Sequence, residues 1–310
     1  MTGMWTEADI PDQTGRTVVV TGANSGLGLR SAEVLGARGA RVLMACRSPE
    51  RGAEALRRVL ATGAKAELVE LDLADLSSVR RAAADVRERT GDAVDVLMNN
   101  AGVMATPRGW TVDHFETQFG TNHLGHAALT WLLMPALRTR PGARVVTLSS
   151  LAHKMGGLQL ADPNFEARGY SAWQAYGQSK LANLLFANAL ARHLAAAGLD
   201  VTSVAAHPGL TGTNLGANHA KSQGSALLGG VVKVWDAVVT QSVEQGALPQ
   251  LHAATAPGVL PDDYYGPGAL GETRGHPKPA SRSKAARDDV TADRLWDLTA
   301  TLTGVTPDPA

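Results

Sequence analysis

The stretch TVVVTGANSGLG, residues 17–28, places a run of four β-branched residues just before a turn that contains three glycines. A short apolar run bounded by glycine is typical of a buried strand, and the residues after it follow a helical pattern. Glycines between a strand and a helix let backbone amides approach a phosphate at the positive helix end. The stretch therefore predicts nucleotide binding. The alternative is a tight turn without a ligand, because Gly-x-x-x-Gly-x-Gly is not the common Gly-x-Gly-x-x-Gly spacing.

The same strand-then-helix order recurs along the chain. Further strands are predicted at RVLMACR, AELVELDL, VDVLMNNAG, ARVVTLSS and LDVTSVAAHPG. Helical patterns lie between them, with two long ones at residues 112–138 and 174–197. Such alternation predicts parallel strands joined by right-handed helical crossovers. The predicted fold class is α/β, a single doubly wound Rossmann-type domain with helices on both faces of a parallel sheet.

Residues 1–310 are interpreted as this one domain. Within it, residues 14–209 form the cofactor-binding and catalytic core, residues 210–250 a substrate lid after the sixth strand, and residues 251–310 a C-terminal extension. The Pro/Gly-rich residues 257–289 predict a solvated connector, and TADRLWDLTATLTG predicts a short closing helix.

Composition and charge narrow the class of partner. Lys plus Arg and Asp plus Glu both count 29, so the net charge is zero and no basic surplus indicates nucleic acid. A small-molecule partner is favoured. The single cysteine and the lack of an uncharged apolar run of about 18 residues predict a cytoplasmic protein without a membrane span.

The end of the second strand bears on the choice of nucleotide. An acid there binds the ribose 2′-hydroxyl of NAD, whereas a nearby arginine accommodates a 2′-phosphate. Cys46 occupies the position of the acid and Arg47 follows, which favours NADP(H) over NAD. The alternative is that Arg47 is a solvated loop residue. Asp72, at the end of the third strand, can accept from the adenine amino group or cap the next turn.

Five ordered motifs resemble the short-chain dehydrogenase/reductase family over roughly residues 14–215. They are TGANSGLG, Asn99-Asn100-Ala101-Gly102, Ser149-Ser150, Tyr176-x-x-x-Lys180, and Pro208-Gly209 followed by Thr213. The segments SSLAH (149–153), AYGQSKLANLLF (175–186), HPG (207–209) and YYGP (264–267) resemble the retinol-dehydrogenase-like branch, whose members often prefer NADP.

This resemblance implies a catalytic tetrad of Asn122, Ser150, Tyr176 and Lys180. Tyr176 would be the general acid in carbonyl reduction and the base in alcohol oxidation, which requires its pKa to fall from about 10. Lys180, on the same helix face, would lower that pKa and hold the nicotinamide ribose. Ser150 would bind the substrate oxygen. Asn122 would anchor a water chain to Lys180, or it is a helical asparagine bonded to a backbone carbonyl.

Other residues of these motifs are expected to contact the cofactor. The full expected set is Gly22, Asn24, Ser25, Gly26, Leu27, Gly28, Arg47, Asp72, Leu73, Asn99, Ala101, Gly102, Tyr176, Lys180, Pro208, Gly209 and Thr213. Thr213 has a helix N-cap as its alternative role. Ser149 is interpreted as structural, and Tyr170 lacks a lysine four places on. Three histidines are expected to be packing or loop residues: His153, His207 and His219. No metal site is expected.

The predicted function is an NADP(H)-dependent oxidoreductase that interconverts an alcohol with its ketone or aldehyde. A lipophilic substrate is expected because the lid is apolar, although its side chains could equally serve packing or an oligomer contact. These lid side chains are Leu215, Leu227, Leu228, Val231, Val232, Val234 and Trp235. The two long helices could pair across a two-fold axis in a homodimer or homotetramer.

Two other functions are compatible with the fold. One is a catalytically silent NADP-binding or sensing protein. All four tetrad positions hold reactive residue types, which argues against this function. The other is a sugar-nucleotide epimerase of the related extended family, which would want glycines spaced Gly-x-x-Gly-x-x-Gly. The chain lacks that spacing.

Overall fold

The computed structural model describes residues 4–155, 157–211 and 241–309. Within these residues one sheet contains eight strands in the order β3-β2-β1-β4-β5-β6-β7-β8. Their ranges are β1 (Thr17–Thr21), β2 (Arg41–Cys46), β3 (Lys65–Glu70), β4 (Val96–Asn99), β5 (Ala143–Leu148), β6 (Val201–Ala206), β7 (Tyr264–Ala269) and β8 (Arg274–Pro279). All neighbouring strands are parallel except β7 and β8.

Helices connect the strands as the sequence predicts. Their ranges are α1 (Gly26–Ala37), α2 (Pro49–Leu60), α3 (Leu76–Thr90), α4 (Thr117–Phe119), α5 (Gly125–Leu137), α6 (Ala172–Ala196), α7 (Val243–Thr255) and α8 (Asp289–Thr303). A π-helical turn, Gly120–Leu124, joins α4 to α5. The strand order reverses between β1 and β4, and ligands of doubly wound sheets bind at such a point, beyond the carboxyl ends of the strands. The predicted doubly wound fold is confirmed.

Both faces of the sheet are covered, which explains the continuous apolar run in β1. Val19 packs into one core with α3, α5, α6 and α8, whereas Val18 and Val20 pack into the other with α1, α2 and α7. Successive side chains of a strand point to opposite faces. A strand buried on both sides therefore needs an apolar residue at every position.

The first long helix begins later than predicted. Residues 112–116 are not helical, and α4 begins at Thr117. The buried Glu116 carboxylate accepts from the amides of Gln118 at 3.0 Å and Phe119 at 2.7 Å, so it caps the helix. The apolar pattern runs across this cap, and periodicity alone therefore placed the helix start too early.

The solvated connector expected at residues 257–289 is wrong, because this segment extends the sheet. β7 pairs in parallel with β6, and β8 closes the edge as an antiparallel partner of β7. Tyr264 and Tyr265 are both buried. Glycine and proline obscure the strand pattern in YYGPGA and RGHPKP, and proline is tolerated here because β8 is an edge strand.

The C-terminal helix α8, predicted from the sequence, packs along α6 and also touches α5. Trp296 stacks on His193 with ring centroids 4.4 Å apart and meets Trp131 edge-on at 4.9 Å. Arg192 forms an ion pair with Asp293 at 2.5 Å. Helix α8 therefore covers part of the surface on which pairing of two subunits was expected, and that pairing stays a prediction.

Most of the predicted lid, residues 212–240, lies outside the described residues, together with its apolar side chains, Thr213 and His219. The end of the lid region belongs instead to α7, which packs against α1. There the Gln250 side-chain amide donates to the Leu27 carbonyl at 3.2 Å and to Ser31 Oγ at 2.6 Å. Across the described ranges, no helix combines the length and apolarity needed to cross a membrane.

Candidate active site

The glycine turn between β1 and α1 is packed too closely for side chains. Gly22 and Gly26 have φ of +68° and +52°, a region that favours glycine. A Cβ on Gly28 would lie 2.5 Å from the Gly22 carbonyl oxygen and from Asn100 Nδ2. Ser25, at the N-cap of α1, makes no side-chain bond to the helix amides. The turn thus brings the amide end of α1 to the cleft, which suits a pyrophosphate.

A cleft runs over this turn and across the carboxyl ends of the central strands. It is lined by Gly22, Asn24, Ser25, Gly26, Leu27, Gly28, Ala45, Arg47, Ser48, Arg51, Leu71, Asp72, Leu73, Asn100, Ala101, Gly102, Val103 and Thr121. Eleven of these residues were expected to contact the cofactor: Gly22, Asn24, Ser25, Gly26, Leu27, Gly28, Arg47, Asp72, Leu73, Ala101 and Gly102. The fold therefore brings together the phosphate turn, the end of β2 and the turn after β4.

Among the described residues expected to contact the cofactor, Asn99 and Gly209 line neither this cleft nor the cavity around Tyr176. Asn99 is fully buried, and its Nδ2 donates to Thr130 Oγ1 at 2.9 Å. Its neighbour Asn100 lines the cleft instead and donates from Nδ2 to the Thr21 carbonyl at 2.7 Å. Gly209 has φ of +69° and packs against the Thr273 carbonyl.

At the far end of the cleft, three residues with hydrogen-bond donors surround the end of β2. Cys46 is buried, as is expected of a strand residue, and Arg47 is exposed beside it. Ser48 and Arg51 also line the cleft, and the Ser48 hydroxyl caps α2 by accepting from the Arg51 amide at 3.3 Å. Sequence reasoning missed Arg51. The Ser-Pro helix start at residues 48–49 was the available signal, because it places Arg51 in the first helical turn.

Asp72 has a local structural role and also faces the cleft. Its Oδ1 accepts from the Ala74 amide at 3.0 Å. The cap of α3 is Asp75, whose Oδ1 accepts from Ser77 and Ser78. Asp72 therefore stabilises the turn that precedes the helix and remains positioned to accept from a bound base.

Asn122 lies in the π-helical turn and is fully buried. Its side-chain oxygen accepts from the Val103 amide at 2.8 Å. Its side-chain nitrogen donates to the Val103 carbonyl at 2.9 Å and to Ser179 Oγ at 2.9 Å. The Asn122 carbonyl accepts from His126 Nδ1 at 2.9 Å, and His126 Nε2 lies 2.9 Å from Thr21 Oγ1. Burial lowers the His126 pKa to about 4, so the ring is neutral. Asn122 thus joins the π-helical turn to the loop after β4.

Tyr176 and Lys180 lie one turn apart on α6, and both are almost completely buried. They line a second cavity with Leu27, Asn100, Gly102, Val103, Met104, Leu148, Ser149 and Pro208. Four of these residues also line the cleft: Leu27, Asn100, Gly102 and Val103. The two spaces therefore adjoin, with Arg47 beside one of them and Tyr176 beside the other.

The two serines after β5 have different partners. Ser149 is buried, and its hydroxyl donates to the Lys180 carbonyl at 2.8 Å, which agrees with a structural role. Ser150 begins a 3₁₀ turn, and its Oγ accepts from the Ala152 amide at 3.2 Å. Burial raises the pKa of the Tyr176 phenol, and a hydrogen bond with Ser150 opposes that rise.

The lowering of the Tyr176 pKa by Lys180 stays a prediction, because the pKa of the phenol in this structure reflects burial and Ser150 alone. Burial raises the pKa of the phenol and outweighs the hydrogen bond from Ser150. Lys180 Nζ lies 5.8 Å from the Tyr176 ring centroid and donates to the Leu148 carbonyl at 3.2 Å. Burial also lowers the pKa of Lys180 to about 8. The low-dielectric site thus disfavours the charged form of both groups.

A doubly wound sheet with a glycine turn and a buried Tyr-Lys pair beside adjoining cavities is typical of a dinucleotide-dependent oxidoreductase. The chain belongs to the short-chain dehydrogenase family, whose model matches residues 16–224. The family uses nicotinamide cofactors and acts on small molecules. The protein is therefore a nicotinamide-dependent oxidoreductase that interconverts an alcohol and a carbonyl compound.

Similar proteins show which branch of the family the chain belongs to. It is 38% identical over 304 residues to retinol dehydrogenase 13 of Homo sapiens, covering 96% of this chain and 87% of that protein. It is 39% identical over 302 residues to retinol dehydrogenase 12 of Mus musculus, covering 97% and 89%. An uncharacterized protein from Mycobacterium Paratuberculosis, whose crystal structure is known, is 44% identical in sequence to this chain. The two structures superpose with a TM-score of 0.81, and the alignment covers 98% of each chain. The resemblance to the retinol-dehydrogenase-like branch is confirmed.

Proposed function

We propose that this protein is an NADP(H)-dependent oxidoreductase that interconverts a lipophilic alcohol with its ketone or aldehyde, with Tyr176 as general acid and base. The observation that carries the proposal is that the two cavities adjoin and have four lining residues in common. One holds Arg47 and Arg51, and the other holds Tyr176 and Lys180. A dinucleotide that spans this distance would present its nicotinamide to a proton donor.

The preference for NADP(H) rests on the charge at the end of β2. Two guanidinium groups and the Ser48 hydroxyl line the part of the cleft where an acid would otherwise bind a ribose hydroxyl. Arginine provides several donors in a planar arrangement that matches phosphate oxygens. Arg47 and Arg51 are therefore suited to hold a 2′-phosphate between them.

The residues around Tyr176 supply the proton chemistry. Nicotinamide, when bound, supplies or accepts the hydride. The raised pKa of Tyr176 keeps its hydroxyl protonated near neutral pH, which suits donation to a carbonyl oxygen. Ser150 adds a second hydrogen-bond donor to that oxygen as negative charge develops. Lys180 provides a buried positive charge beside the phenol for the reverse direction, in which the phenol must lose its proton.

The substrate side of the cavity favours a lipophilic molecule. Val103, Met104, Leu148 and Pro208 line it next to Tyr176. An apolar pocket with a few polar groups at one point gains binding energy from burial and orientation from those groups. The similarity to two proteins named retinol dehydrogenase supports the same class of substrate.

An assay of hydride transfer tests the proposal directly. Purified protein is mixed with medium-chain and aromatic aldehydes, and oxidation of NADPH or NADH is followed by absorbance, with glyceraldehyde as the polar control. We expect NADPH with a lipophilic aldehyde to give kcat/KM at least about 10-fold above NADH, the ratio that one charge-assisted contact supplies. Preference for NADH or for glyceraldehyde would contradict the proposal. Binding of NADPH without turnover of any carbonyl would instead favour a silent binding protein.

Replacing Arg47 and Arg51 together by leucine should reduce kcat/KM for NADPH by about 10- to 100-fold, since hydrogen bonds to a charged group contribute about 1.5–3 kcal/mol. The value for NADH should change little, because NADH carries no 2′-phosphate. Arg57→Leu is the matched control, as Arg57 lies on the same helix, is exposed and does not line the cleft. An equal loss with both cofactors would assign the two arginines to stability rather than to phosphate binding.

A further inference from the structure

We propose that His153 is a positioning residue for Ser150, which it fastens to the C-terminal part of the chain. The proposal rests on the proposed function, in which Ser150 binds the substrate oxygen. The sequence predicts only a packing or loop role for this histidine. Two hydrogen bonds of its ring point to a more specific one.

The bonds of His153 define its tautomer. The residue is fully buried in the 3₁₀ turn Leu151–Lys154, and Nδ1 lies 2.7 Å from the carbonyl oxygen of Ser150. The backbone amide of Ser283 donates to Nε2 at 3.2 Å. Burial lowers the pKa of His153 and keeps the ring neutral, with one proton. Because Nε2 accepts, that proton is on Nδ1 and is donated to Ser150.

Ser150 is thereby held at both its carbonyl and its hydroxyl. The carbonyl accepts from the His153 amide at 3.1 Å as well as from the ring. The hydroxyl accepts from the Ala152 amide and bonds Tyr176. Two donors on one carbonyl restrict rotation of the Ser150 peptide, and this fixes the direction in which Oγ points.

The other end of the connection is firmly anchored. Ser283 follows β8, and its neighbour Arg282 forms an ion pair with Asp262 at 2.8 Å. The Ala280 amide donates to the Tyr264 carbonyl at 2.8 Å, and the Tyr264 ring meets His153 edge-on at 5.9 Å. The ring of His153 therefore bridges the 3₁₀ turn Leu151–Lys154 and the segment that follows β8.

Loss of the hydrogen bonds that join Ser150 to Ser283 through His153 should lower the rate of the reaction and leave the affinity for substrate and cofactor unchanged. A misplacement of about 1 Å can cost about 100-fold in rate, because the hydrogen bond from Ser150 is needed most when charge develops on the substrate oxygen. We expect His153→Ala to lower kcat by about 10- to 100-fold. The KM for the aldehyde and the Kd for NADPH should stay within about 2-fold, the pattern of an interaction made only in the transition state.

A pair of amide substitutions separates the two ring nitrogens. His153→Asn places an amide N–H close to the position of Nδ1 and can still donate to the Ser150 carbonyl. His153→Gln places its amide closer to the position of Nε2 and can reach Ser283 instead. If the bond to Ser150 matters, the Asn variant should keep kcat within about 3-fold of the parent, whereas the Gln variant should fall to the level of His153→Ala.

Glu272→Gln controls for general loosening of the C-terminal segment. Glu272 forms an ion pair with Lys154 at 3.3 Å, which joins the same two segments without touching Ser150. It also accepts from the Ser281 amide at 2.8 Å, a bond that glutamine can keep. We expect this variant to retain the parental kcat.

Steady-state kinetics of these variants, with fluorescence titration of NADPH and thermal melts, tests the proposal. Equal kcat in the Asn and Gln variants, undiminished kcat in His153→Ala, or a loss in Glu272→Gln as large as in His153→Gln would overturn the positioning role. Ser150→Ala is measured alongside. If Ser150→Ala is also undiminished, the proposed role of Ser150 fails; if only Ser150→Ala is slow, that role stands and the role of His153 fails.

Discussion

Tyr176→Phe is expected to lower kcat by about 10³-fold, within the range that a general acid or base contributes. Such a loss corresponds to about 4 kcal/mol of transition-state stabilisation. Phenylalanine keeps the buried ring and its edge-on contact with Trp173, whose centroid lies 6.2 Å away. Only the proton donor is removed, so NADPH binding and the melting temperature should stay close to the parent. Single-turnover hydride transfer, followed by NADPH absorbance, measures the effect.

Tyr170→Phe provides the matched control. The Tyr170 hydroxyl lies 3.0 Å from the Thr106 carbonyl and 3.1 Å from Glu116 Oε1, and it accepts from Gln118 at 3.0 Å. Its removal takes these hydrogen bonds away and should reduce the free energy of unfolding by about 1–3 kcal/mol. Because none of these residues lines the Tyr-Lys cavity, kcat should change little. Equal losses of kcat in the two variants would remove Tyr176 from its proposed role.

The succession of strands and helices along the chain and the glycine turn could be predicted because their signals are local. In TVVVTGANSGLG, the apolar run and the glycines define strand, turn and helix without knowledge of distant residues. The last two strands, β7 and β8, could not be predicted in the same way. YYGPGA pairs with only two residues of β6, and RGHPKP lies at the edge, so neither needs an unbroken run of apolar residues.

The details of the site depend on register and burial, which local patterns do not reveal. Whether Asn99 or Asn100 faces the cleft depends on where β4 ends, and a shift of one residue exchanges the two faces. The contribution of Arg51 depends on the first turn of α2 lying beside Arg47. The direction in which the pKa of Tyr176 shifts depends on how much water the folded chain excludes. The spacing of Tyr176 and Lys180 shows that a lysine is near the phenol. It does not show that burial has the larger effect on the pKa of the phenol.

Lys180→Met is expected to lower the catalytic rate and to raise the stability of the fold. The substitution removes the only side-chain positive charge that lines the described part of the Tyr-Lys cavity, and kcat for alcohol oxidation should fall by about 10²- to 10³-fold, as on loss of an electrostatic stabiliser. The fold should become more stable. Methionine fills a similar volume without a buried charge, and the Leu148 carbonyl keeps its hydrogen bond from Asn183 Nδ2 at 2.9 Å. Lys154→Met, which removes a partly exposed charge, is the control.

The pH dependence of this stability gain follows from the lowered pKa of Lys180. Its value of about 8 in the folded chain lies below the ordinary 10.5, so the unfolded chain binds more protons between these values. The free energy of unfolding of the parent therefore falls as pH decreases from 10.5 to 8, by about 3 kcal/mol in total. Lys180→Met lacks this penalty, so its melting temperature should exceed that of the parent at pH 7, and the difference should shrink towards pH 10.5. A variant that melts below the parent at pH 7 would show that the Lys180 ammonium is stabilised by its surroundings rather than penalised by burial.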